Sequence, residues 1–144
     1  MKIRILITLI ISLSAIGCAP IKSYTGPALP PEQTSLVSFS SSNSSKLQLS
    51  FLRVDDTSNS LFSGNFGSTF AMLPGSHTLK FHYENKQLVC FQFCFVYYGD
   101  CAFTLNTEPG AEYTVFVKGM NSTIEAEVYL EGSSNRLKYI RCAN

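Results

Sequence analysis

The chain predicts an all-β fold: an antiparallel β-sandwich of about seven or eight short strands, preceded by a signal peptide and a proline-rich tether. Three observations carry that expectation. Apolar and polar residues alternate with period two through most of the sequence after position 46, the pattern of half-buried strands. Turn-forming clusters recur at intervals of about 8 to 12 residues. Eleven phenylalanines and seven tyrosines, with no tryptophan, supply a core, because each buried aromatic removes roughly 150 to 250 Å² from water. At 144 residues, 45% hydrophobic and 15% charged, the chain is sized for one domain. Its net charge of +1 and its lack of any Lys/Arg cluster exclude the electrostatic footprint of nucleic-acid binding.

The N-terminus reads as an address. Lys2 and Arg4 precede an apolar run over 5–16, and Ala15, Gly17 and Cys18 close it with small residues and a cysteine, so 1–17 is predicted to be a signal peptide. The run is too short for the roughly 20 residues of a membrane-spanning helix. The segment from Ala15 to Cys18 resembles the lipobox of bacterial lipoproteins, with Ala15 where that family usually has leucine. The resemblance implies that Cys18 becomes lipidated and that the membrane is a partner through the lipid. Each buried methylene of an acyl chain contributes about 0.8 kcal/mol to such anchoring. Ala15-x-Gly17 also passes as an ordinary cleavage site, which leaves simple secretion as the alternative. Ala19, rather than aspartate, follows the cysteine; by the sorting rule of such lipoproteins this implies an outer-membrane protein facing the periplasm.

The rest divides into a tether over 18–35 and a β domain over 36–144. Pro20, Pro27, Pro30 and Pro31 with Gly26 forbid helix in the tether and remove ladder donors, so it is either extended or pasted onto the domain. Fully stretched, Cys18 to Leu36 would reach roughly 60 Å. A short strand over 36–39 leads into a serine-rich loop. Over 47–54, Leu47, Leu49, Phe51 and Arg53 are expected on one face and Gln48, Ser50, Leu52 and Val54 on the other. Asp55-Asp56 and Pro74-Gly75 mark turns on either side of a strand over 69–73. Leu79, Phe81 and Tyr83 then alternate with Thr78, Lys80 and His82. The aromatic stretch 88–98 reads as a strand ending in a turn at Tyr98-Gly99-Asp100. Strands over 101–105, 112–117, 124–130 and 137–142 follow, separated by Glu108-Pro109-Gly110 and by Gly132-Ser133-Ser134-Asn135.

With Cys18 lipidated, Cys90, Cys94, Cys101 and Cys142 form an even set for two disulfides in an oxidising compartment. On a regular strand Cys90 and Cys94 lie about 13 Å apart, beyond the reach of a disulfide. That leaves Cys94 with Cys101 and Cys90 with Cys142, or Cys90 with Cys101 and Cys94 with Cys142. The first is favoured because Cys94 and Cys101 bracket the Tyr98-Gly99-Asp100 turn. Zinc binding by these cysteines is the rival use, but their spacings form no paired C-x-x-C knuckles, and no metal or other cofactor is expected. A redox role would call for C-x-x-C where the chain has C-x-x-x-C.

Other chemistry finds little support in the residues. His77 and His82, five apart, point to opposite faces of a strand and cannot share a metal; each reads as a surface or edge residue. There is no G-x-S-x-G elbow and no carboxylate pair with acid and base roles, so no catalytic residue is assigned and no enzyme activity is expected. The segment 95–100 is the one candidate recognition surface: a stapled loop presenting Tyr97 and Tyr98 would form a rigid aromatic patch at little ordering cost.

Beyond the lipobox, Tyr24-x-Gly26-Pro27-x-Leu29-Pro30, Val54-Asp55, Leu73-Pro74-Gly75-x-His77-x-Leu79 and Gly110-x-x-Tyr113-x-Val115 together resemble a group of small Gram-negative lipoproteins of uncharacterised function. Their domain is similar to transthyretin-like or PEGA-like β-sandwich modules. The chain departs from them at Asp56, where glycine often stands, and in its four cysteines and aromatic insertion. The resemblance brings no catalytic residues and implies a membrane-anchored structural or interaction module of the envelope with a protein partner there. The alternative is a periplasmic inhibitor or ligand-binding lipoprotein that uses 95–100 to occupy a partner's cleft.

Overall fold

The structure, a computed structural model, describes residues 20–41, 46–56, 69–87, 95–120 and 123–143. Cys18, Cys90 and Cys94 lie outside them. Nine strands account for most of the described chain: β1 (Ile21–Lys22), β2 (Ser35–Ser41), β3 (Leu47–Val54), β4 (Thr69–Met72), β5 (Gly75–Gln87), β6 (Phe95–Thr107), β7 (Glu112–Met120), β8 (Thr123–Leu130) and β9 (Arg136–Ala143). Among the described residues the only helical piece is a single 3₁₀ turn at Pro31–Gln33, started by the fixed φ of Pro31. The all-β expectation holds.

The strands form two sheets. One has six strands in the order β1-β4-β2-β7-β8-β9, and the other is the meander β3-β5-β6. Two of the pairings, β1 with β4 and β2 with β7, are parallel. This departs from the wholly antiparallel arrangement predicted: β2 reaches β7 only after the whole small sheet has been made, and a hairpin turn cannot make such a long-range pairing.

Period-two alternation builds the core from both sheets. Val37 and Phe39, Leu79, Phe81 and Tyr83, Val115 and Val117, and Ile124, Ala126 and Val128 all turn inward and are buried. Phe39 of the large sheet meets Phe81 of the small one edge to face at 6.0 Å, and meets Phe70 at 6.1 Å. Such ring pairs contribute about 0.5 to 1.5 kcal/mol beyond the area they bury. The sheets also meet at Gly119, where a Cβ would fall 2.8 Å from the Asn85 amide nitrogen. The buried Asn85 side chain occupies the space that glycine leaves.

Two local expectations are corrected, and one alternative left open is decided. In β3 the register skips Ser50, so that Leu49 faces Tyr83 while Phe51 faces His82. One extra residue reverses the alternation, which is why Val54, expected on the face opposite Leu47 and Leu49, is buried together with them. The predicted turn at Tyr98-Gly99-Asp100 is absent: β6 runs straight through it, with Gly99 opposite Tyr83 and no break in register from Gln87↔Phe95 to Gly75↔Thr107. Glycine in a strand weakens the strand without ending it. Finally, the proline-rich segment is pasted onto the domain at its start, because Ile21 and Lys22 pair with Phe70 and Ala71, and Ser23 donates to the Ala71 carbonyl.

The cysteine pairing is corrected as well. Cys101 on β6 and Cys142 on β9 form a disulfide with Cα atoms 5.5 Å apart, so neither of the two connectivities left open by the sequence, the favoured one included, holds. The argument from a bracketed turn fails because the turn does not exist. β9 lies at the edge of the large sheet next to β6, an adjacency that chain order does not reveal.

Candidate functional site

The outer face of the three-stranded sheet collects the exposed groups. In β5 the even residues Thr78, Lys80, His82, Glu84 and Lys86 point away from the core, beside Val96, Tyr98, Asp100 and Ala102 of β6. Arg53 of β3 stands next to Lys80 in the row that ends at Ala102. Tyr98 is 66% exposed and Val96 41%, on one face two residues apart. Tyr97 points the other way and is half-buried beside Asn85. The two tyrosines flagged by sequence are therefore not one patch, and 95–100 is not a loop. A strand sends neighbouring side chains to opposite faces, and only Tyr98 is presented.

On the same face, four residues along β6 from Tyr98, a hollow of about 230 Å³ is lined by Arg53, Lys80, Asp100 and Ala102, with Phe81 and Cys101. Its walls carry both signs of charge. Lys80 Nζ lies 2.7 Å from Asp56 Oδ1 and Arg53 Nη1 lies 3.8 Å from the same oxygen. The Lys80 hydrogen bond, helped by Arg53, holds the Asp56 carboxyl below the usual carboxylate range. His82 Nδ1 is 2.8 Å from Asp100 Oδ1. Among the described residues no three His, Cys, Asp or Glu side chains converge as metal ligands.

Two other polar constellations are structural. Asp55, at φ 54°, begins the turn after β3; Asp and Asn are the side chains that tolerate this left-handed backbone best. Its carboxylate accepts the Thr78 N–H at 2.7 Å and meets His77 Nδ1 at 2.5 Å, while His77 Nε2 lies 2.6 Å from the Leu73 carbonyl. His77 thus ties the turn after β3 to the turn before β5 and is mostly covered, whereas His82 stands on the open face. On the outer face of the large sheet Glu127 gathers Lys118 at 2.8 Å, Tyr129 at 3.0 Å and Arg136 at 2.9 Å. The Lys118 hydrogen bond, with those of Tyr129 and Arg136, holds the Glu127 carboxyl down to about 2. A carboxylate so saturated keeps its charge and is not available as a general base.

Sequence reasoning missed both constellations. Lys118, Glu127, Tyr129 and Arg136 all stand at outward positions of their strands, but only the β7-β8-β9 register brings them together. Comparison with protein-family models, with curated proteins and with solved structures finds no match.

Proposed function

We propose that the chain is a lipid-anchored, non-enzymatic binding module of the cell envelope, its two sheets packed as a β-sandwich and its working surface the outer face of β3, β5 and β6. The observation that carries this reading is the alignment of exposed Tyr98 and Val96 with the Ala102 hollow on one rigid sheet face. An aromatic held by strand backbone loses little conformational freedom on docking, which favours contact with a partner. In this reading 1–17 is removed, Cys18 carries the lipid and the domain faces the periplasm from the outer membrane. Tyr98 on a strand suits a flat contact better than insertion into a cleft, which weighs against the inhibitor alternative.

The test is intact mass and membrane partition of the protein from its native host, compared with Cys18→Ala. The expected result is a chain that begins at Cys18, carries acyl mass and partitions to membrane, with all three lost in the variant. A soluble wild-type chain without acyl mass overturns the anchored reading.

A further inference from the structure

Strand β9 is an edge of the large sheet, and little of what holds it there is apolar. Its inward row, Lys138, Ile140 and Cys142, stands opposite Val128, Ala126 and Ile124 of β8, which are fully buried. Of that inward row Lys138 is exposed, Ile140 half-buried and Cys142 buried, and Arg136, Leu137, Tyr139 and Arg141 are exposed as well. The ladder to β8 is also interrupted, by a register shift between Val128 and Tyr129. An edge strand with few buried apolar contacts belongs to the low-stability end of a fold. Against this, two links among the described residues tie β9 to β6 of the other sheet. Lys138 donates to the Thr104 carbonyl, and the Cys101–Cys142 disulfide joins the strands covalently. The two ends of the disulfide differ. Cys101 lies within β6, which pairs with β5 along its whole length, and is 1% exposed, whereas Cys142 lies near the end of β9 and is 8% exposed. The bond therefore fastens a weakly held strand to a firmly held one.

We propose that Cys101–Cys142 is a redox clamp on β9: a dithiol reductant that opens the bond at Cys142 releases β9 while the other strands stay folded. One thiolate of the reductant attacks Cys142 Sγ, the sulfur of the more exposed residue. The S–S bond breaks, and Cys101 leaves as a thiolate and takes up a proton. The second thiolate of the reductant then attacks the mixed disulfide, closing the reductant's own disulfide and freeing Cys142, which is protonated in turn. Two electrons and two protons have then passed from the dithiol to the protein. Release lifts Lys138 from the Thr104 carbonyl and uncovers Ile124, Ala126 and Val128 together with the backbone edge of β8, an apolar row beside open hydrogen-bonding groups that the oxidised protein keeps covered. The clamp also borders the working surface, because Cys101 stands between Asp100 and Ala102 and lines the hollow. The inference goes beyond the binding reading and holds with or without the lipid.

The test is hydrogen exchange strand by strand, read by mass spectrometry on the protein purified from its native host, before and after dithiothreitol, with alkylation to map the reduced cysteines. In the oxidised protein β9 should exchange together with β8. After reduction β9 should exchange at least about tenfold faster than β5 and β7, a factor well within the usual contribution of a disulfide. Cys90→Ser/Cys94→Ser should give the same response to reductant, and Cys101→Ser/Cys142→Ser should show the fast β9 without it. A protein dithiol reductant whose second cysteine is replaced by serine should be trapped on Cys142. Exchange that quickens equally in every strand, or loss of the folded spectrum on reduction, makes the bond a staple of the whole domain and overturns the clamp. So does unchanged exchange at β9 in the reduced protein, a reductant trapped on Cys101, or a bond that resists dithiothreitol until the protein is unfolded.

Discussion

The outer faces of the two sheets both pair their charges, and they differ in how much of an aromatic side chain they leave open. On the large sheet Glu127 is saturated by three donors, Lys118 lies over the Phe116 ring at 5.2 Å and Arg136 over Tyr139 at 4.9 Å. Its charges are paired, and Tyr139 under Arg136 stays 43% exposed. On the small sheet Tyr98 stands two-thirds exposed beside Val96, and the hollow over Ala102 stays open. Lys80 and His82 of the small sheet are paired as well, with Asp56 and Asp100, so what sets this face apart is Tyr98, whose uncovered ring keeps surface for contact with a partner.

Four measurements would break or sharpen that contrast, and the largest effect belongs to the link between the sheets. Replacing Cys101 and Cys142 together by alanine should lower unfolding free energy by about 3 to 4 kcal/mol in urea titration, because the 41-residue separation sets the loop entropy returned to the unfolded chain. Gly119→Ala should cost about 1 to 3 kcal/mol by the same titration, since the new methyl meets the Asn85 side chain. Asn85→Ala in that background should recover part of the loss.

Glu127→Gln should cost about 1 to 2 kcal/mol at neutral pH. The pH dependence gives it a signature. Folded Glu127 takes up its proton at about 2 and the ordinary value is 4.5. Between the two the unfolded state binds more protons, so stability present above pH 4.5 is lost as pH falls toward 2. The wild type should therefore lose more stability than Glu127→Gln between pH 6 and pH 2.5. Tyr98→Ser should move stability by less than about 0.5 kcal/mol and be visible only in partner capture. A large drop in its unfolding midpoint would remove the contrast between the faces.

The elements themselves were legible because period-two alternation and local turn chemistry are written in neighbouring residues. Asp55 and Asp56 both adopt positive φ, at 54° and 55°, and Gly110 does so at 71°, where turns were expected. What depends on distant partners was hidden. The skip at Ser50 shows only against β5, the parallel pairing of β2 with β7 only in the finished sheet, and the partner of Cys101 only when β9 is in place. The site was half legible: Tyr98 was singled out for its aromatic character, but its presentation depends on β6 continuing through Gly99. Nothing local in Ala102 announces a hollow.

The pairing of Ile21 with Phe70 would set the length of the proposed leash. With lipid on Cys18, as proposed, only Ala19 and Pro20 lie between the bilayer and the sheet, a slack of roughly 10 Å at full extension. That is no more than the spacing of two packed sheets. The domain would then ride on the membrane like a plaque rather than fly from it like a flag, with the β1 edge of the large sheet down and the β9 edge uppermost. Partners would meet it only within the first few nanometres of the periplasm.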